Sequence, residues 1–153
     1  MSETQVVPPG IVQSAIEQIF QTMYFTEAGF VGRAQPPSSA LGTTVGFFGE
    51  TEGEFRVTVS ERLACDMAAD FLALEPGETS PEQVEAIVRE FANVACGATL
   101  GAWKPGASFH CAIPGPLERD SAPGEFPYCF CVSGDGADLA GAGADLAIDI
   151  RIR

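Results

Sequence analysis

The chain has 153 residues, 46% hydrophobic and 19% charged, which fits one globular domain and excludes a disordered polypeptide. Its 21 acidic against 8 basic residues give a net charge of −13, with Lys104 the only lysine, so phosphate backbones and anionic membrane surfaces are repelled. Its apolar runs are too short to span a bilayer, and Met1-Ser2-Glu3-Thr4 lacks a signal peptide's basic start. The expectation is a cytoplasmic, single-domain protein with no nucleic-acid or membrane partner, loose at residues 1–9 and 134–143.

In chain order, Val12, Ala15, Ile16, Ile19, Phe20 and Met23 recur at helical spacing after Pro8-Pro9-Gly10, opposite Gln13, Glu17, Gln18 and Gln21. Residues 26–41 are rich in Gly, Pro and Ser and read as a loop, with a short strand at Phe30-Val31 at most. Residues 43–50 and 54–60 turn to β, joined by the tight Thr51-Glu52-Gly53 turn, with Phe55, Val57 and Val59 alternating against Glu54, Arg56 and Thr58. Ser60 then caps a helix whose apolar face is Leu63, Met67, Phe71 and Leu74, ended by Pro76-Gly77.

The next helix has the clearest start: Ser80 as N-cap, Pro81 at the first helical position and Gln83 to close a capping box. Its buried stripe reads Val84, Ile87, Val88, Phe91, Ala95 and Ala98, and it runs to about Trp103 before Lys104-Pro105-Gly106. Three strands follow, at residues 109–113, 128–132 and 146–152, with a Gly/Ala/Asp-rich loop at 134–143 before the last. Hairpin-joined strands with helices grouped together argue an α+β fold, an antiparallel-rich sheet with helices packed on one face.

Chemistry concentrates on the Ser80 helix. Positions three, four and seven apart share a helical face, so Ala86, Glu90, Asn93 and Gly97 line up away from Ile87 and Phe91. The stripe is small except for one carboxylate and one carboxamide. Asn inside a helix costs up to about 0.7 kcal/mol relative to Ala, so its placement asks for a reason.

Glu90-Phe91-Ala92-Asn93-Val94-Ala95-Cys96-Gly97 resembles the Glu-x-x-Asn-x-x-x-Gly core of the CheX family, which is related to CheC and FliY. Pro114 and Pro116, after the strand at 109–113, resemble the proline of the CheC-type signature, and the paired strands from Val45 to Val57 resemble the family's hairpin. The resemblance implies a phosphatase for the aspartyl phosphate of a CheY-type receiver domain. In that scheme Glu90 docks on the receiver's lysine, Asn93 orients the attacking water, and Ala86 and Gly97 flank the docking surface. It implies no cofactor held by this chain, because Mg²⁺ comes with the receiver, and it implies a homodimer.

Two departures are visible. Ala86 stands where the family often has Asp or Ser, and the first helix, with Glu17 and Phe20, lacks the second copy of the motif found in CheC-type relatives. One active surface is therefore expected. The alternative is a non-catalytic CheX-like module that binds a receiver or a flagellar-switch component.

The remaining candidates have bland explanations. His110 is the only histidine, which leaves it without a His partner as ligand or base. Cys129 and Cys131, with Cys111, lack zinc-knuckle spacing, and an odd count of five cysteines without a signal peptide favours reduced core thiols. Asp135, Asp138 and Asp145 lack the spacing of a calcium loop, and Trp103 reads as a core or interface anchor.

Overall fold

The computed structural model describes residues 6–24, 26–37, 40–75, 77–115, 118–119, 125–133 and 144–153. The loop expected at 134–143, with Asp135 and Asp138, lies outside them, as do Pro116 and residues 1–5. Among the described residues the architecture is α+β: three helices cover one face of an antiparallel sheet.

Helix α1 (Pro9–Met23) starts on Pro9, where the missing N–H costs nothing, and buries Val12, Ala15, Ile16, Ile19 and Phe20. Just ahead of it Val7 is buried, and the Tyr128 hydroxyl donates to the Val7 carbonyl, which ties the chain down before the helix begins. Strand β1 (Glu27–Ala34) occupies much of the segment that sequence pattern assigns to a loop. It pairs with β6 (Phe126–Ser133) through register shifts around Gly32, whose φ is +89°. The burial of β1 alternates residue by residue, but the inward positions are Ala28, Phe30, Gly32 and Ala34, so small residues carry most of the period of two, and the glycines look like loop residues.

Strands β2 (Ala40–Gly49) and β3 (Gly53–Ser60) form the expected hairpin, with Val45 opposite Phe55 and Thr43 opposite Val57. Gly49 sits at φ +136°, and a Cβ there would lie 2.3 Å from the Ser108 carbonyl oxygen, so only glycine fits where β2 meets the exit of α3. Ser60 accepts from the Leu63 N–H and opens α2 (Glu61–Leu72). The expected stripe of α2 holds for Leu63 and Met67 but not beyond: Phe71 and Leu74 are 49% and 36% exposed. The helix stops at Leu72, with Ala73 left-handed at φ 56°, so Leu74 falls off the helical face.

Helix α3 (Pro81–Trp103) lies on β2, β3 and the short β4 (Phe109–Cys111), with α1 and α2 packed against it. Beyond Cys111 the alternation expected to 113 ends, and Ile113 is 91% exposed. The two-residue strand β5 (Glu118–Arg119), too short to announce itself, pairs with Leu41 and Gly42 on β2. Strand β7 (Leu146–Ile152) lies between β3 and β6 in the order β1-β6-β7-β3-β2-β4. It is therefore an interior strand, not the free edge that its terminal position suggests for pairing with a second copy. Asp145 anchors its start: its carboxylate accepts from the Val132 N–H at 2.9 Å and from Arg62 of α2 at 3.3 Å.

The main core cluster lies between helices and sheet, with Phe20, Phe55, Phe91, Phe130, Ile16, Met67 and Ile148 fully buried, and a smaller separate cluster gathers Phe126, Cys129, Ala144 and Ala147. Phe20 of α1 and Phe91 of α3 meet with ring centroids 5.4 Å apart, a tilted contact that contributes about 0.5–1.5 kcal/mol beyond the area it buries.

Candidate functional site

The site is built on α3, which is held at both ends and along one side. Ser80 accepts from the Gln83 N–H while the Gln83 side chain accepts from the Ser80 N–H, a reciprocal capping box. Along the inner side Val84, Ile87, Val88, Phe91, Ala92, Ala95, Cys96, Thr99 and Leu100 are buried. Ala98, expected in this stripe, is exposed instead, because the buried arc turns through Cys96 and Thr99 toward β4. At that end the Cys96 thiol lies 3.5 Å from the Cys111 thiol, and burial pushes the Cys96 group far above the usual thiol range.

The outer side presents the four residues singled out from the sequence. Ala86, Glu90, Asn93 and Gly97 are all exposed, and at 100° per residue they fall within an arc of about 60°. Glu90 and Asn93 are separated by about 4.5 Å along the helix axis. Among the described residues neither side chain has a hydrogen-bond partner in the chain. A charged acceptor and a group that both donates and accepts thus point outward on a rigid platform. Gly97 adds a smooth shoulder: a Cβ placed there would meet nothing within 4 Å, so no neighbour in this chain requires glycine.

One neighbour was not legible from pattern. Tyr24, at the end of α1, is 1% exposed, and its ring is packed against Phe20, Phe91 and Phe71 at 5.3, 6.2 and 6.5 Å between centroids. Its hydroxyl is buried without a hydrogen-bond partner. Burial raises the Tyr24 pKa, and the charge of Glu90 raises it further. Phe71 of α2 leans on Tyr24 from the solvent side, so three helices converge on the Glu90 end of the stripe. The available signal was the run Phe71-Leu72-Ala73-Leu74, which holds more apolar residues than one helical face can bury.

The other candidates are dispersed. His110 is exposed and stacks on Phe48 at 5.3 Å across the β2–β4 pair. Cys129 and Cys131 are buried in β6, with three strands between it and β4, which carries Cys111, so the three thiols do not converge. Trp103 is partly buried against the core, with the Lys104 ammonium 4.6 Å from its ring centroid. Pro114 is partly buried where the chain leaves β4, and the following Gly115 N–H donates to the Thr44 carbonyl. Among the described residues, no group of three or more His, Cys, Asp or Glu side chains could hold a metal ion, and no helix is long and apolar enough to cross a membrane.

Solved structures share this arrangement over nearly their whole length. The CheX of the Borrelia burgdorferi CheX-CheY-BeF3-Mg complex matches with a TM-score of 0.70 at 17% identity, covering 97% of this chain and 99% of that one. The chemotaxis protein CheX of Vibrio vulnificus matches with a TM-score of 0.67 at 17% identity, covering 94% and 95%. The Thermotoga maritima FliY matches with a TM-score of 0.57 at 12% identity, covering 93% and 83%. At these identities the likeness concerns the fold. No curated protein sequence matches the chain. The family described as chemotaxis phosphatase CheX matches residues 41–127, a span that holds the hairpin, α2, all of α3 with Glu90 and Asn93, and β4. That span is more than half of the chain, and the chain belongs to the CheX family.

Proposed function

We propose that this chain accelerates hydrolysis of the aspartyl phosphate of a CheY-type receiver domain, with Glu90 as the docking residue and Asn93 as the residue that orients water. The observation that carries this is the exposed, unpartnered Glu90–Asn93 pair on one stripe of a capped and buried helix, in a chain of the CheX family. Glu90 pairs with a receiver lysine and sets the helix in register. Asn93 then reaches the acyl phosphate, accepting from the attacking water through its carbonyl and donating through its amide without adding charge.

An acyl phosphate is an activated mixed anhydride, so positioning the water in line and sparing the phosphoryl further negative charge are the main tasks left. The Mg²⁺ that neutralises the phosphoryl oxygens belongs to the receiver, and this chain supplies no metal of its own. The net charge of −13 favours a partner with basic groups around its active site. The working unit is taken to be a homodimer in the cytoplasm, as the family resemblance implies.

A second reading rests on Ala86, which removes a side chain one turn before Glu90. In it the chain binds a receiver or a flagellar-switch component without hydrolysis. Phosphate release from a phosphorylated receiver of the same cell separates the two. Wild type should accelerate release, and Asn93→Ala should lower turnover by about a hundredfold or more while the protein stays folded. Binding without acceleration, weakened by Glu90→Ala, would support the non-catalytic module.

A further inference from the structure

The end of α2 carries three exposed apolar side chains close together in sequence. Phe71, Leu72 and Leu74 are 49%, 38% and 36% exposed. Single exposed apolar residues are ordinary on protein surfaces, but these three lie within four positions of one another at a helix end. Phe71 is also held in place: its ring rests on Tyr24, which is locked in turn by Phe20 and Phe91. A rigid, half-exposed aromatic that loses little rotamer freedom on contact has the character of an interface anchor.

Continuity and charge identify the occupant. Phe71 rests on Tyr24, which packs in turn on Phe91, the residue that follows Glu90 on α3, so the patch neighbours the Glu90 turn and lies within reach of a domain-sized body seated there. Its flanks are acidic: Asp70 and Glu75 are exposed beside it, and burial with the Asp66 charge lifts the Asp70 carboxyl above its usual range. A second copy of this chain, at −13, would bring acid against acid here. The fitting partner presents an apolar pocket rimmed by basic groups.

We propose that Phe71, supported by Leu72 and Leu74, is a second docking point for the same receiver domain, inserting an apolar anchor beside the Glu90 ion pair. This rests on the functional reading above. It divides the interface into a polar contact from α3 that reaches the chemistry and an apolar contact from α2 that sets affinity.

The test measures the affinity of a receiver loaded with beryllofluoride and Mg²⁺ for wild type, Phe71→Ala, Leu74→Ser and Glu90→Ala, together with the sedimentation behaviour of each variant alone. Folding is checked by the denaturation midpoint, and Leu74→Ser serves if Phe71→Ala does not fold. Phe71→Ala should weaken binding by about tenfold (1.4 kcal/mol) and act on KM, whereas Asn93→Ala acts on turnover. Unchanged affinity in Phe71→Ala and Leu74→Ser, with Glu90→Ala impaired, would overturn the second docking point and leave the functional reading standing. Loss of self-association in Phe71→Ala, with receiver binding intact, would assign the patch to a second copy and overturn the proposal. Failure of wild type to bind any receiver of the cell would overturn both.

Discussion

Gly97→Ala is expected to stabilise the protein and impair it. Gly97 is exposed in the interior of α3, and a Cβ there meets nothing within 4 Å. The substitution therefore gains the helix-propensity difference of about 1 kcal/mol with no steric cost inside the chain. For a domain of this size that corresponds to a rise in melting temperature of about 2–4 °C. The same methyl group stands on the stripe that carries Glu90 and Asn93, where it would hold a docking backbone away. A displacement near 1 Å at a positioning residue can cost about a hundredfold in rate. Gly101→Ala is the control: it is also exposed with open space around its Cβ, but about 12 Å further along the axis from Asn93. Thermal unfolding and phosphate release from a phosphorylated receiver, run on both variants, should show two stabilised proteins and one impaired one. Gly97→Ala with full activity would refute the argument that glycine serves a close approach here.

Phe91→Ala should cost about 3–5 kcal/mol, read as a fall in the urea midpoint, because its fully buried ring joins α1 to α3 through Phe20 and Tyr24. Stability should fall above about pH 9. Burial pushes the Cys129 thiol up to about 11 and raises Cys131, so the folded state keeps protons that the unfolded chain releases, and each such thiol lowers stability by up to about 1.4 kcal/mol per pH unit until its folded pKa is passed. Denaturation midpoints at pH 7 and pH 10 check this, and Cys129→Ala should reduce the difference. The KM for receiver should rise between 0.1 and 1 M NaCl as the Debye length falls from about 10 to about 3 Å, while turnover at saturation changes little. A KM indifferent to salt would remove the electrostatic part of the docking scheme.

The helices were legible because their signals are local. Ser80, Pro81 and Gln83 announce the start of α3 within four residues, and the spacing from Val84 to Phe91 identifies its inner face without knowledge of what covers it. The β2–β3 hairpin was legible for the same reason, since alternation and turn chemistry are both short-range. Strand β1 was not, because its identity depends on pairing with β6 about a hundred residues later, and three of its four inward positions are the small residues Ala28, Gly32 and Ala34, which leave little hydropathy signal at a period of two. The interior position of β7 is likewise decided by β3 and β6, not by its own residues. At the site, the Glu90–Asn93 stripe follows from helical geometry alone, whereas the approach of Tyr24 and Phe71 depends on how three helices converge. The spacing of Phe71 from Leu63 and Met67 gives the face it stands on but not what covers that face at the helix end, where Tyr24 packs against it and leaves the ring half-exposed.

Helix α3 joins two requirements that oppose one another. Its outer face is poor in stabilising groups, since Gly97 and Gly101 each cost about 1 kcal/mol and Asn93 up to about 0.7 kcal/mol relative to Ala. None of the three is compelled by contacts inside the chain. The deficit of roughly 2–3 kcal/mol is offset on the inner face, where Phe91 alone contributes a comparable amount and the Ser80–Gln83 box adds about 1 kcal/mol. An ordinary surface helix has no need of this imbalance. A helix that must lay a short polar side chain into another protein does need it: the inner face fixes the axis, so that the position of Asn93 is set by the fold and not by its own contacts. Substitutions that weaken the inner face should therefore reduce activity before they unfold the protein, by loosening the platform on which Asn93 stands.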